Sequence, residues 1–220
     1  MIISPKHKLM YFKTRKTAGT STEVAIRTCM KASTGGFDPE AMCTRIMDGE
    51  RKKTKLIHVE LNNVNNYKMH QGPRTSVLSD MTMAEHKSYF KFMNVRNPYD
   101  RLVSCYYFRV KTDRSIITKD TTFKEFIKYI APRPDGLVNL EPMYPWAIRC
   151  DDFIRYENFE ADLVRILGKW FDTTNLVIPK NKTTHRPSPK KHYREYYDTE
   201  TYDLISKKYH KDLAYFEYEF

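Results

Sequence analysis

No run of about 18 apolar residues occurs in the 220-residue chain, which excludes a membrane-crossing helix. The first residues, Met1-Ile2-Ile3-Ser4-Pro5-Lys6, enter a strand-like segment at once, with no apolar signal region and small-residue cleavage site. Cysteine is scarce. Cys29, Cys43, Cys105 and Cys150 are widely spaced and form no CxxC pair, so they are expected to be buried or incidental thiols of a reducing compartment. The seven His show no ligand spacing with them, which argues against a zinc site. Repeats and low-complexity tracts are also missing. Acids are in deficit: 27 Asp and Glu against 38 Lys and Arg leave a net charge of +11. Such a charge implies an anionic partner without naming it: nucleic acid, a membrane surface, an acidic polymer or a phosphorylated cofactor. The chain is not disordered by composition, with 40% hydrophobic and 14% aromatic residues. Its length suits one domain over residues 1–220.

Residues 8–13 form a short apolar run that predicts a buried strand. A polar loop, Thr14 to Ser21, follows. Thr20 with Glu23 three residues on is a capping box, and Ala25, Ile26, Cys29 and Met30 share one face, so a helix is expected from Ser21. Residues 33–54 are polar and basic, an excursion with some helix, and 55–80 are ambiguous between strand and turn. A short helix is expected over 82–88 and a second strong strand over 89–95. Asn97, Pro98 and Asp100 have the character of N-cap, N1 and N3. Tyr99, Leu102, Val103, Tyr106 and Val110 then mark an amphipathic helix. A helix over 122–130, a third strand over 152–156, a helix marked by Phe159, Leu163, Ile166, Leu167 and Trp170, and a last helix marked by Tyr202, Ile205 and Tyr209 complete the pattern. Strands alternating with helices predict an α/β fold whose parallel sheet is covered on both faces.

Two strand-loop-helix units carry the chemistry. Around Lys16, a helix N-terminus presents unpaired N–H groups and a partial positive charge to an anion. Gly19 permits close backbone approach. Lys13, Arg15 and Lys16 add charge, and Thr17, Thr20 and Ser21 add hydroxyls. The competing reading is a well-capped helix with solvated lysines. The nucleoside-triphosphate P-loop, G-x-x-x-x-G-K-[ST], is absent, because Lys16 precedes Gly19. The second unit pairs Arg96, at a strand end, with Ser104 about two helical turns on. A guanidinium binds phosphate as a planar fork. The competing reading there is a local ion pair with Asp100. Loops after parallel strands open at one sheet edge, so Lys16 and Arg96 are expected to face one crevice.

These residues resemble the carbohydrate sulfotransferases that use 3′-phosphoadenosine 5′-phosphosulfate (PAPS). Lys13-Thr14-Arg15-Lys16-Thr17-Ala18-Gly19-Thr20-Ser21 resembles the 5′-phosphosulfate loop, with Arg15 where the family has Pro. The stretch from Phe92 through Val95-Arg96-Asn97-Pro98-Tyr99-Asp100-Arg101-Leu102-Val103-Ser104 resembles the 3′-phosphate motif. Asp152-Phe153-Ile154-Arg155-Tyr156-Glu157-Asn158 and the segment from Asn181 to Tyr197 resemble the family's later strand-end turn and its cofactor-capping loop and helix. The resemblance covers most of the chain, in order, except residues 31–85.

The resemblance implies a P-loop-NTPase-like three-layer fold with a central parallel sheet flanked by helices, acting as a PAPS-dependent sulfotransferase. Lys13 to Ser21, including Thr17, Ala18 and Gly19, would hold the phosphosulfate end, with Lys16 at the bridging oxygen. Arg96 and Ser104 would hold the 3′-phosphate. Lys182, Thr183, Thr184 and Arg186 would close over the nucleotide. Residues 180–194 carry six Lys or Arg and no acid, which suits that role or a solvated basic surface. The product would be 3′,5′-ADP, with no metal required. His70 is the first choice of base for the acceptor hydroxyl, with His58, Glu60 and His86 as rivals. The acceptor is expected to be a carbohydrate, and the basic stretch Arg45 to Lys55 is where an acidic one would be sought. A cytoplasmic location, without membrane span or nucleic-acid partner, is expected. The alternatives are a basic nucleic-acid-binding protein or a P-loop-like nucleotide kinase.

Overall fold

The computed structural model describes residues 2–4, 6–32, 83–112, 117–133, 140–177, 186–187, 189 and 191–220. Its contacts fall into two compact units. The first comprises Met1–Thr14, Ala18–Asn94 and Arg149–Asn181, and the second Arg15–Thr17, Val95–Ile148 and Lys182–Phe220.

The first unit holds the sheet. Strands β1 (Ile2–Ser4), β2 (Leu9–Phe12), β3 (Phe90–Val95) and β4 (Asp152–Arg155) lie in that order. β1 pairs antiparallel with β2, while β2 runs parallel to β3 with Leu9 opposite Phe90 and Phe12 opposite Met93. The mixed α/β architecture, three parallel strands flanked by helices, agrees with the expected fold class. The hairpin strand β1 extends it. β2 is buried at every residue and does not alternate, as expected when both faces of a strand are covered. Leu9, Tyr11, Phe92 and Ile154 meet Ala25, Ile26 and Cys29 of α1 (Gly19–Ala32) and Leu163, Ile166 and Leu167 of α6 (Phe159–Leu167). The short helix α2 (Met83–Lys87) precedes β3.

The second unit is helical. α3 (Pro98–Thr112) starts as its cap residues predict, with Asn97 Oδ1 accepting from the Tyr99 N–H at 3.0 Å. Its Tyr99, Leu102 and Val103 pack with Phe126, Ile127 and Ile130 of α4 (Phe123–Ile130) and with Ile205 of α7 (Thr199–Lys208). α4 carries a capping box between Thr122 and Glu125. The expected last helix is two helices, α7 and α8 (His210–Phe216), separated at Tyr209, which leaves helical geometry at ψ 19°.

Other boundaries moved by one to three residues, α6 ending at Leu167 short of the expected Trp170. β4 stops at Arg155 because Tyr156–Asn158 winds into a 3-10 turn. α1 starts at Gly19, which places Thr20 inside the first turn. Glu23 does not complete the expected capping box, because its two oxygens accept from Lys13 and Arg27.

Asp212 of α8 is fully buried and accepts from the N–H groups of Met143 and Tyr144 at 2.7 and 2.8 Å, at the start of α5 (Tyr144–Ala147). Removing it strands one buried donor, worth about 1–3 kcal/mol, and a second that is partly buried. Asp212→Ala should therefore lower the urea unfolding midpoint by the equivalent of about 3 kcal/mol at an unchanged m value. A variant with the wild-type midpoint would contradict this role.

Candidate functional site

In the first unit, the end of β2 and the start of α1 are bound by a buried polar network. Asn94, fully buried, accepts from Tyr11 Oη and donates to Thr22 Oγ1 at 2.9 Å, and its carbonyl accepts from Thr14 Oγ1 at 2.6 Å. Burial pushes the Tyr11 phenol well above its ordinary pKa, with Glu23 adding to the shift, so it stays a donor. A Cβ on Gly19 would sit 2.9 Å from Lys13 Cγ and 3.1 Å from both Thr14 O and Tyr11 Oη. The glycine is thus required by the chain's own strand end, a reason the sequence did not disclose. Lys13, also a phosphosulfate-loop candidate, is buried with its ammonium 2.6 Å from Glu23. Arg27 holds the other Glu23 oxygen at 3.1 Å. Ser21 is buried and Thr20 half-buried.

The loop backbone is left-handed at two residues that carry a Cβ, Lys16 (φ 62°) and Ala18 (φ 63°). Each such residue costs about 1–2 kcal/mol, so the surroundings must impose the conformation. Alternating hands of this kind also curve a backbone into an anion-binding nest.

The second unit places Arg15, Lys16 and Thr17 with Arg96. Arg96 is 5% exposed, and its Nη1 donates to the Lys16 carbonyl at 2.8 Å. Its Nε and Nη2 both donate to Asp100 Oδ2, at 2.8 and 2.6 Å. Arg186 binds the same carboxylate through Oδ1 and the Asp100 carbonyl at 2.9 Å. Burial pushes the Asp100 carboxyl up, but Arg96 and Arg186 outweigh it and hold it below its ordinary value. The local ion pair weighed for Arg96 is therefore present, together with the contact to the Lys16 loop. Thr17 is fully buried. The Lys16 ammonium lies 4.7 Å from the centroid of the Phe108 ring, a cation–π contact. Ser104, half-buried, stands one helical turn after Asp100 and one before Phe108, on the same face of α3.

Lys16, Arg96, Arg186 and the turn carrying Ser104 thus belong to one arrangement in the second unit. His70, Lys182, Thr183 and Thr184 lie outside the described residues, as do His58, Glu60 and the stretch Arg45 to Lys55. His86 is described: burial and the Lys91 and Arg149 charges lower its pKa, which keeps it neutral at pH 7. Among the described residues no cluster of three or more His, Cys, Asp or Glu is placed to hold a metal ion, and no helix is long and apolar enough to cross a membrane. Sequence reasoning passed over Asp100 as a bridge between two arginines, and it quoted Arg101 within the 3′-phosphate motif without giving it a role. The available signal was a cation, Arg101, directly beside the apolar stripe residues Leu102 and Val103.

Residues 1–219 match the sulfotransferase family model. Carbohydrate sulfotransferase 14 of Danio rerio is 28% identical over 163 residues, covering 60% of this chain and 44% of that protein. The matched region thus spans less than half of the relative's length. No solved structure gives a significant match.

The ion triad in the first unit leads to a test by pH. Burial pushes the Glu23 carboxyl up, but Lys13 and Arg27 outweigh it and bring its pKa from 4.5 down to about 2. A depressed folded-state pKa stabilises above the unfolded value and loses that contribution as pH falls through the folded one. Wild type should exceed Glu23→Gln in urea stability by a constant margin above about pH 4.5, and the margin should shrink towards pH 2. A margin independent of pH would show that the carboxylate charge is not what holds Lys13 and Arg27.

Proposed function

The chain belongs to the sulfotransferase family, and from that premise we propose that it transfers the sulfuryl group of PAPS to a hydroxyl of a carbohydrate acceptor. The observation that carries this reading is the bond from the buried Arg96 guanidinium to the carbonyl of Lys16. It joins, within one unit, the two motifs that the reading assigns to the two anionic ends of one nucleotide. The donor set suits a polyanion: in that unit Arg96 and Arg186 share the Asp100 carboxylate, and the Lys16 ammonium stands over the Phe108 ring. The carbohydrate is suggested by the name of the zebrafish relative, and the excess positive charge favours an acidic one.

PAPS supplies an activated sulfuryl group on a phosphate leaving group. Lys16 would stabilise negative charge on the bridging oxygen as the S–O bond breaks. A fixed cation there acts most strongly in the transition state. Backbone N–H groups of residues 17–21, with the Thr20 and Ser21 hydroxyls, would hold the 5′-phosphate. Arg96 and Ser104 would hold the 3′-phosphate, with Lys182, Thr183, Thr184 and Arg186 covering the nucleotide. Lys13 would serve this loop through Glu23 rather than by touching the anion. The acceptor proton would go to His70, with His86 as the described rival. Transfer would be in line and dominated by positioning, as in phosphoryl transfer.

The test is transfer from labelled PAPS to a panel of neutral and acidic oligosaccharides, with calorimetry of 3′,5′-ADP. Lys16→Ala should reduce kcat about 100- to 1,000-fold while the protein remains folded. Arg96→Ala should weaken 3′,5′-ADP binding about tenfold or more. Full activity in the first variant or unchanged affinity in the second would remove that residue from the mechanism.

A further inference from the structure

Arg101 is 3% exposed, and among the described residues no carboxylate pairs with its guanidinium. Its hydrogen bonds go to backbone. Nε donates to the carbonyl of Arg15 at 3.0 Å and Nη1 to the carbonyl of Glu141 at 2.8 Å. The next carbonyl along the loop, that of Lys16, accepts from Arg96. Two buried guanidinium groups therefore hold two successive carbonyls, where the backbone turns left-handed at Lys16.

A buried cation without a counter-ion is an expensive way to fill space. Its neighbours Leu102 and Val103 show that the surrounding core accepts apolar residues. What Arg101 adds is a planar fork able to reach two carbonyls from one rigid group, which lysine cannot do.

We propose that Arg101 is a positioning residue for sulfuryl transfer: it fixes the Arg15–Lys16 peptide against α3, so that the Lys16 ammonium is delivered to the reacting group in one geometry. Arg101 acts through Lys16 and makes no contact with the nucleotide. The inference rests on the sulfuryl-transfer reading above.

The experiment compares wild type, Arg101→Ala and Arg101→Lys with labelled PAPS and the best acceptor of the oligosaccharide panel, alongside 3′,5′-ADP calorimetry and thermal midpoints. A displaced catalytic group costs about 100-fold in rate. Arg101→Ala should lose about that factor in kcat, with KM for PAPS changed less than about threefold. Millimolar guanidinium should restore part of the kcat of Arg101→Ala. Arg101→Lys keeps the charge but not both bonds, and should remain at least about tenfold below wild type. Unchanged kcat in a folded variant overturns the proposal, as does a rate loss that follows the unfolded fraction and resists guanidinium. Recovery of full kcat in Arg101→Lys overturns it too, because charge alone would then suffice. If wild type neither turns over PAPS nor binds 3′,5′-ADP, the sulfuryl-transfer reading fails and this inference falls with it.

Discussion

The guanidinium of Arg96 is the interaction on which the proposed site depends. It is buried, so each of its hydrogen bonds acts in a low-dielectric setting and each donor needs an acceptor. One edge grips Asp100, and the remaining nitrogen holds the Lys16 carbonyl. Asp100 in turn binds Arg186. Three stretches far apart in the chain, at 15–17, 96–100 and 186, thereby share a single cation–carboxylate network. Planarity is what makes this possible, since a point charge on a flexible stem would not fix three directions at once.

The basic residues of the first loop divide their work by environment. Lys13 is buried against Glu23, where its charge is neutralised and its position held. Lys16, half-buried, holds its ammonium over the Phe108 ring, where the aromatic face attracts it. Arg15 has no ring to restrict its φ. The carbonyl of Arg15 is held by Arg101 instead. The left-handed backbone at Lys16 is held by Arg96 on its own carbonyl and Arg101 on the preceding one, rather than by glycine.

Local signals were read well wherever the determinant lies within a few residues. Asn97 caps α3, Thr122 and Glu125 cap α4, and the apolar stripe Leu163, Ile166 and Leu167 is fully buried. Reading failed where a partner lies far off in sequence. The Thr20–Glu23 pattern satisfies a capping box on paper, yet Glu23 has a stronger offer from Lys13, because an ammonium outbids a backbone N–H for a buried carboxylate. Besides the close ligand approach read from the sequence, the missing Cβ of Gly19 makes room for the strand end.

By itself the sequence determined the α/β alternation, the helix caps, the excess of positive charge and the two loops that carry it. Those follow from period, composition and short-range hydrogen bonding. Only the tertiary structure decided which distant groups meet: Lys13 with Glu23, Arg186 with Asp100, and Arg101 with a carbonyl. Charge pairing across 10 or 86 positions depends on where the backbone brings the groups, and no local pattern encodes that distance.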